Sequence, residues 1–286
     1  MLRRHFLSAL TATLAGLTVP SFQVSAQALR PILFGTTPVF LDDQISFLNE
    51  WQHYLETRLK RPVVFVQRET YREITDLVIN EKLDFAWVCG YPYVRFKPYM
   101  QLVAVPVFQG KPLYRSYVIV PQTDAVTHSL MDMKDKIYAF SDPLSNSGWL
   151  VAQAEIKHNG YVPASFFRKT FFTWAHRKVV EAVAVKLAQG GSVDGYVWDT
   201  LNVTHPDLTA RTRIVEKSAE YGFPPIVARR NLDPSEYRAV QEILTGMKKD
   251  PAGRALLERL NLDGFEQGND HIFDDIKRNM QFVDAG

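Results

Sequence analysis

The stretch KIYAFSDPLSNSGWLVAQAEIKHNG (136–160) governs how the rest of the chain is read. KIYAF (136–140) is a short apolar run of strand type, and WLVAQAEIKHNG (149–160) has helical spacing closed by Gly160. Between them stand Ser145, Asn146, Ser147 and Gly148, so a strand passes to a helix through hydroxyl and amide side chains. Capping the helix needs one such residue, because one side-chain oxygen can accept from the first free backbone N–H groups. Three of them, with a glycine that lets a ligand approach the backbone, also suit an anion held at a helix N-terminus. Both roles stand at this point.

Working outward, the same strand-to-helix unit recurs. PILFGTT (31–37), VVFV (63–66) and FAWV (85–88) read as strands, and ISFLNEWQHYLETRL (45–59) and YREITDLVINEKL (71–83) as amphipathic helices between them. LVAVPVF (102–108) and YVIVP (117–121) are strands on either side of the turn-rich QGKPLYRS. The alternation then restarts with KIYAF, RKTFFTW (168–174) as a strand, HRKVVEAVAVKLAQG (176–190) as a helix and VDGYVW (193–198) as a strand. IVEKS and PIVAR within 214–230 are strand-like, and the tail from Pro234 to about Leu260 is helical. The expected fold class is α/β, with two lobes, each a mainly parallel sheet flanked by helices, joined by two hinge crossovers. Residues 29–112 are expected to form the first part of lobe 1, 113–216 lobe 2, and 217–286 the return to lobe 1 and C-terminal helices. Ligands gather at the carboxyl ends of strands in such sheets. Those ends are Gly35-Thr36-Thr37, Cys89-Gly90, Ser145–Gly148 and Val197-Trp198-Asp199, and facing lobes would bring them to one cleft that closes by a hinge.

Residues 1–28 read as a cleaved export signal: Arg3 and Arg4, the apolar LSALTATLAGLTV, then VSAQA with small residues for cleavage after Ala26 or Ala28. The paired arginines also fit twin-arginine export. Removing this segment leaves 31 of the 33 basic residues against 31 acidic ones, a neutral balance that argues against nucleic-acid or membrane-surface binding. An apolar content of 46% is ample for two cores. The single cysteine, Cys89, excludes an internal disulfide and reads first as a buried apolar residue. No HExxH, CxxC, P-loop or GxGxxG occurs, so no cofactor or metal is expected. An enzyme using Cys89 as nucleophile and His176 as base would need an oriented third group, and the sequence supplies no sign of one; the expectation is a protein that does no chemistry.

DFAWVCGYPYVR (84–95), SYVIVPQTD (116–124), SLMDMKDKIYAFSDPLSNSGWL (129–150), His176 and GGSVDGYVWDT (190–200) match, in order and spacing, the PhnD-like phosphate, phosphite and phosphonate periplasmic binding proteins. The resemblance covers nearly the whole chain after the signal, and its most specific piece is the run through AFSDPLSNSG. It implies the two-lobed, type II-like periplasmic binding protein fold, a monomer, and capture of a small oxyanion. The oxyanion would pass to an ABC permease or, alternatively, be presented to a membrane sensor histidine kinase. It places Ser145, Asn146, Ser147, Gly148, Tyr117, His176 and Asp194 at or near the cleft. Tyr93 and Thr37 join them as further candidate ligand contacts. Asp199, at the end of the expected strand 193–198, competes with Asp194 for the cleft. Cys89 and Asn146 depart from the family pattern, which often has a small hydroxyl residue at the first position and threonine at the second. Sulfur is a soft ligand, so Cys89 carries the alternative reading of arsenite or a related oxyanion bound for a sensor kinase.

Overall fold

The computed structural model describes residues 30–37 and 45–285; the expected export signal lies outside them. The chain runs β1 (Ile32–Thr36), α1 (Ile45–Leu59), β2 (Val63–Gln67), α2 (Tyr71–Ile79), β3 (Phe85–Trp87), α3 (Gly90–Arg95), β4 (Met100–Val107) and β5 (Leu113–Pro121). It continues with β6 (Ile137–Phe140), α4 (Val151–His158), α5 (Pro163–Phe166), β7 (Lys169–Phe172), α6 (His176–Ala184), β8 (Gly190–Asp194), α7 (Gly195–Thr204), α8 (Pro206–Thr209) and β9 (Thr212–Gly222). Then come β10 (Ile226–Arg229), α9 (Pro234–Gly246), α10 (Pro251–Arg259), β11 (Gly264–Glu266) and α11 (Asp274–Asp284).

The strands form two sheets, ordered β11-β4-β10-β3-β1-β2 and β7-β6-β8-β5-β9. Each is mixed rather than mainly parallel. In the first, β1 lies parallel to β2 and β3, while β10 runs antiparallel to β3 and β4. In the second, β6 lies parallel to β7 and β8, while β5 runs antiparallel to β8 and β9. β5 and β10, the strands entered after each crossover, run against their sheets, as does the edge strand β11. The chain crosses first between β4 and β5. It recrosses at residues 223–225, between β9 and β10, because β9 stays paired with β5 through Gly222; the boundary expected at 217 falls inside that strand.

The first sheet packs around Trp51, which meets Phe34, Phe47, Phe65 and Trp87 at centroid distances of 5.2–5.8 Å. Asp84 pins three strands of this sheet. It accepts from the Leu33 amide (3.0 Å), from Arg30 (2.8 and 3.0 Å) and from Arg229 (3.2 Å), with its side chain only 4% exposed. Two boundaries differ from the sequence reading in ways that matter below. The strand expected at 193–198 is β8, Gly190–Asp194, and Asp194 caps α7 by accepting from the amides of Tyr196 (2.9 Å) and Val197 (3.3 Å). The C-terminal helices expected within 217–286 extend past the helical run that the sequence ends near Leu260, to α11 at Asp274–Asp284. It packs on α3 of lobe 1 and on α4 of lobe 2, where Lys157 donates to the Phe282 carbonyl (2.6 Å) and Phe282 lies against the His158 ring (4.1 Å). Asn279 of the same helix donates to the Tyr221 hydroxyl of β9 (3.1 Å) and Arg95 of α3 pairs with Asp284 (2.8 Å).

Candidate functional site

The opening stretch builds the centre of the site. After β6, Asp142 accepts from the Leu144 amide (2.7 Å), an Asx turn that reverses the chain. Ser145 then caps by accepting the Gly148 amide (2.9 Å). Residues Asn146–Leu150 form a π-helical turn, with the Leu150 amide bonded to the Ser145 carbonyl (3.0 Å), before α4 begins. Such widened turns occur mostly as single-turn insertions and often at functional sites. Gly148 is required here: a Cβ would collide with Ser141 Oγ and stand 2.9 Å from His176 Cε1. Ser116 of β5 braces the turn from below by donating to the Ser147 carbonyl (2.6 Å).

Lobe 1 closes over this turn. The Asn146 amide donates to Cys89 Sγ (3.2 Å), and the Tyr71 amide, at the N-terminus of α2, donates to Asp142 (3.1 Å). Both bonds cross between the lobes. Asn146 Nδ2 also donates to the Tyr114 hydroxyl (3.1 Å). From the side, the Asp194 amide donates to His176 Nδ1 (3.0 Å). That nitrogen is an acceptor, so Nε2 carries the proton and points to Ser145 Oγ at 3.4 Å. Ser145, Asn146 and Ser147 have no exposed surface, and Cys89, His176, Asp142 and Asp194 are 1–2% exposed.

Four polar atoms of this sealed cluster have no hydrogen-bond partner among the described residues: Tyr71 OH, Ser141 Oγ, Asn146 Oδ1 and Ser147 Oγ. Ser147 Oγ sits beside the Tyr114 phenol without making a hydrogen bond of acceptable geometry. Burying a polar group without a partner costs about 1–3 kcal/mol, and native interiors hold few of them. Electrostatics follow from the same burial. Desolvation pushes the Asp194 carboxyl up to about 8 against the pull of its two capping amides, and raises Asp142 as well. No lysine or arginine contributes to either shift. Desolvation lowers His176 to about 3, which keeps it a neutral donor, and raises Cys89 to about 11, which keeps it a thiol. Among the described residues no group of three or more His, Cys, Asp or Glu could hold a metal ion.

Ser145, Asn146, Ser147, Gly148, His176, Asp194 and Cys89 therefore come together. Tyr117 does not: adjacent positions of β5 face opposite ways, so Ser116 and Tyr114 reach the cluster while Tyr117 donates to Asp199 (3.0 Å) beside Trp198. Tyr93 points to Asp270 and packs edge-on against Phe273 (5.0 Å), away from the turn. Thr37 donates to the Trp87 carbonyl (3.2 Å) and lines the cleft mouth, a cavity of about 780 Å³ bordered also by Thr36, Arg68, Trp174 and Lys178. Because β8 ends at Asp194, that residue holds the carboxyl end of the strand and Asp199 lies one turn along α7. Tyr71, Tyr114 and Asp142 were missed by the sequence reading. Tyr114 follows from period-two alternation back from Ser116, once the strand is begun at Leu113 rather than Tyr117. Tyr71 follows the capping box Thr70–Glu73, which marks a helix N-terminus but not what it faces.

The model of a protein family described as "ABC transporter, phosphonate, periplasmic substrate-binding protein" matches residues 34–273. A phosphonates-binding periplasmic protein of Escherichia coli (strain K12) is 26% identical over 242 residues, 80% of this chain and 70% of the relative. A binding-protein component of an ABC phosphonate transporter from Pseudomonas aeruginosa shares the fold with a TM-score of 0.81 at 21% identity, over 89% of this chain and 87% of that one. A methylphosphonate complex from Prochlorococcus marinus (MIT 9301) gives a TM-score of 0.80 at 17% identity, over 88% and 98%.

Proposed function

The chain belongs to the periplasmic phosphonate-binding family of ABC-transporter substrate-binding proteins, and from that premise we propose that it captures a small phosphorus oxyanion in the Ser145–Gly148 cluster. It holds phosphate, phosphite or a phosphonate, hands it to a membrane permease and does no chemistry on it. The observation that carries the reading is the set of unpartnered, buried polar atoms around that turn. The hydroxyls of Tyr71, Ser141 and Ser147 and the His176 Nε2–H are donors held in place before any ligand arrives. An oxyanion presents several acceptors at once, and fixed donors replace its water shell without a neighbouring cation. The protein acts as a monomer after cleavage of residues 1–28.

Cys89 argues for the transport reading over arsenite sensing. Its thiol is held in the protonated form by burial, and its sulfur already accepts the Asn146 amide, so no thiolate is offered to a soft ligand. The test is thermal unfolding of the mature protein with phosphate, phosphite, methylphosphonate, 2-aminoethylphosphonate, sulfate and arsenite, alongside Cys89→Ser. A ligand at a hundred times its Kd stabilises the native state by about 2.7 kcal/mol. A shift with a phosphorus oxyanion that survives Cys89→Ser is expected. A shift with arsenite alone, lost in Cys89→Ser, would replace this reading with thiol-based sensing.

A further inference from the structure

Asp194 is an odd neighbour for an anion. It is 1% exposed at the carboxyl end of β8, and its backbone amide fixes the tautomer of His176. Both of its capping bonds end on Oδ1; Oδ2 receives no hydrogen bond among the described residues. The groups around it are His176 of α6, Tyr71 of α2, Cys89 ahead of α3, Tyr114 of β5, Asp142 after β6 and Asp199 on its own helix. None of them is a cation. A dianion brought beside an ionised Asp194 would meet a like charge in a low-dielectric site, a penalty large enough to exclude one of the two ionisations.

We propose that the bound ligand and the Asp194 carboxyl hold a single proton between them, so that the site takes a phosphorus oxyanion together with one hydrogen. The inference rests on the reading of the cluster as an oxyanion site. The balance is the same by either route. A monoanion with a P–OH group donates that hydrogen to the Asp194 carboxylate, and a dianion accepts one from the Asp194 carboxylic acid. Both routes give the same complex, with one proton shared between ligand and carboxyl and two negative charges in total on the pair. Where dianion and carboxylate both predominate, the missing proton comes from solvent. Asp194 is thus a specificity-determining residue: it makes affinity depend on proton supply, and it counts charge where no arginine or lysine does.

The test is calorimetric titration of the mature protein with inorganic phosphate and with methylphosphonate at about pH 9, in two buffers of different ionisation heat. The difference in apparent heat gives the protons taken up. Uptake close to one per ligand is expected for the wild type, with affinity falling roughly tenfold per pH unit above about pH 8. Asp194→Asn keeps the helix cap, since asparagine caps as well as aspartate. It should bind with little uptake and a flattened pH profile. Binding without uptake in the wild type, or equal uptake in both proteins, overturns the proposal while leaving the oxyanion site intact. Absence of binding heat with either probe overturns the oxyanion reading and this inference together.

Discussion

Ser147→Ala separates a ligand donor from a structural cap, because the two roles predict opposite results. Ser147 Oγ is fully buried and makes no hydrogen bond among the described residues, whereas the cap itself is made by Ser145 through the Gly148 amide. Deleting an unpartnered hydroxyl removes a desolvation penalty of about 1–3 kcal/mol from the ligand-free fold and leaves a hole of one oxygen atom. The melting temperature without ligand should therefore stay the same or rise, by about 2–4 °C for each kcal/mol gained. Affinity should move the other way. A lost hydrogen bond to a charged ligand is worth about 1.5–3 kcal/mol, roughly a 10- to 150-fold rise in Kd. Calorimetry at fixed pH gives the Kd, and a thermal scan of the same sample gives the stability. A variant that melts several degrees lower yet binds as tightly as the wild type would refute the reasoning and return the hydroxyl to the fold.

Three further outcomes test other parts of the structure. Tyr114→Phe should weaken oxyanion binding several-fold or more, while Tyr117→Phe, whose hydroxyl serves Asp199, should leave the Kd within about twofold; the reverse order would move the site to the far face of β5. Asp84→Asn should cost about 1–3 kcal/mol in urea unfolding, since it takes the buried charge from Arg30 and Arg229 and weakens a network that holds β1, β3 and β10; a loss under about 0.5 kcal/mol would show that the network is not what joins those strands. His176 is neutral when folded down to about 3 but protonates near its ordinary value when unfolded. The unfolded chain binds the extra proton between those values, so stability is fully present above about pH 6.5 and is lost as pH falls, by up to about 1.4 kcal/mol per unit. Unfolding midpoints that do not drop more in the wild type than in His176→Gln over that range would contradict the burial of the ring.

Much of this was legible because it depends on local patterns. The apolar alternation over 31–88 is bounded by Gly, Pro and polar turns, and α1 falls where its spacing predicts, at Ile45–Leu59. The turn at 145–148 stood out because it has more hydroxyl and amide groups than one cap can use. Errors arose where neighbouring apolar runs touch. VDGYVW is apolar enough for a strand, but Gly195 follows a capping aspartate, and the strand had already been made by GGSVD. That shift of a few residues left Asp194 and Asp199 undecided. Tyr71 and Asp142 could not be paired from sequence, because their contact joins two lobes across 71 positions and leaves no periodic trace.

The C-terminal helix sets how this molecule can move. Along one side of the cleft α11 is fastened to α3 of the first lobe, to α4 of the second and to the crossover strand β9, with Ile276 packed where a Gly90 side chain would stand. That edge behaves as the spine of a book. Parting the lobes there would break either the Arg95–Asp284 pair to lobe 1 or the two hydrogen bonds and the ring contact to lobe 2, and the site itself is bridged by the bonds from Asn146 to Cys89 and from Tyr71 to Asp142. If the pages turn about a line that the last helix of the chain defines, the proposed ligand reaches the Ser145–Gly148 turn from the cavity bordered by Trp174 and Thr36.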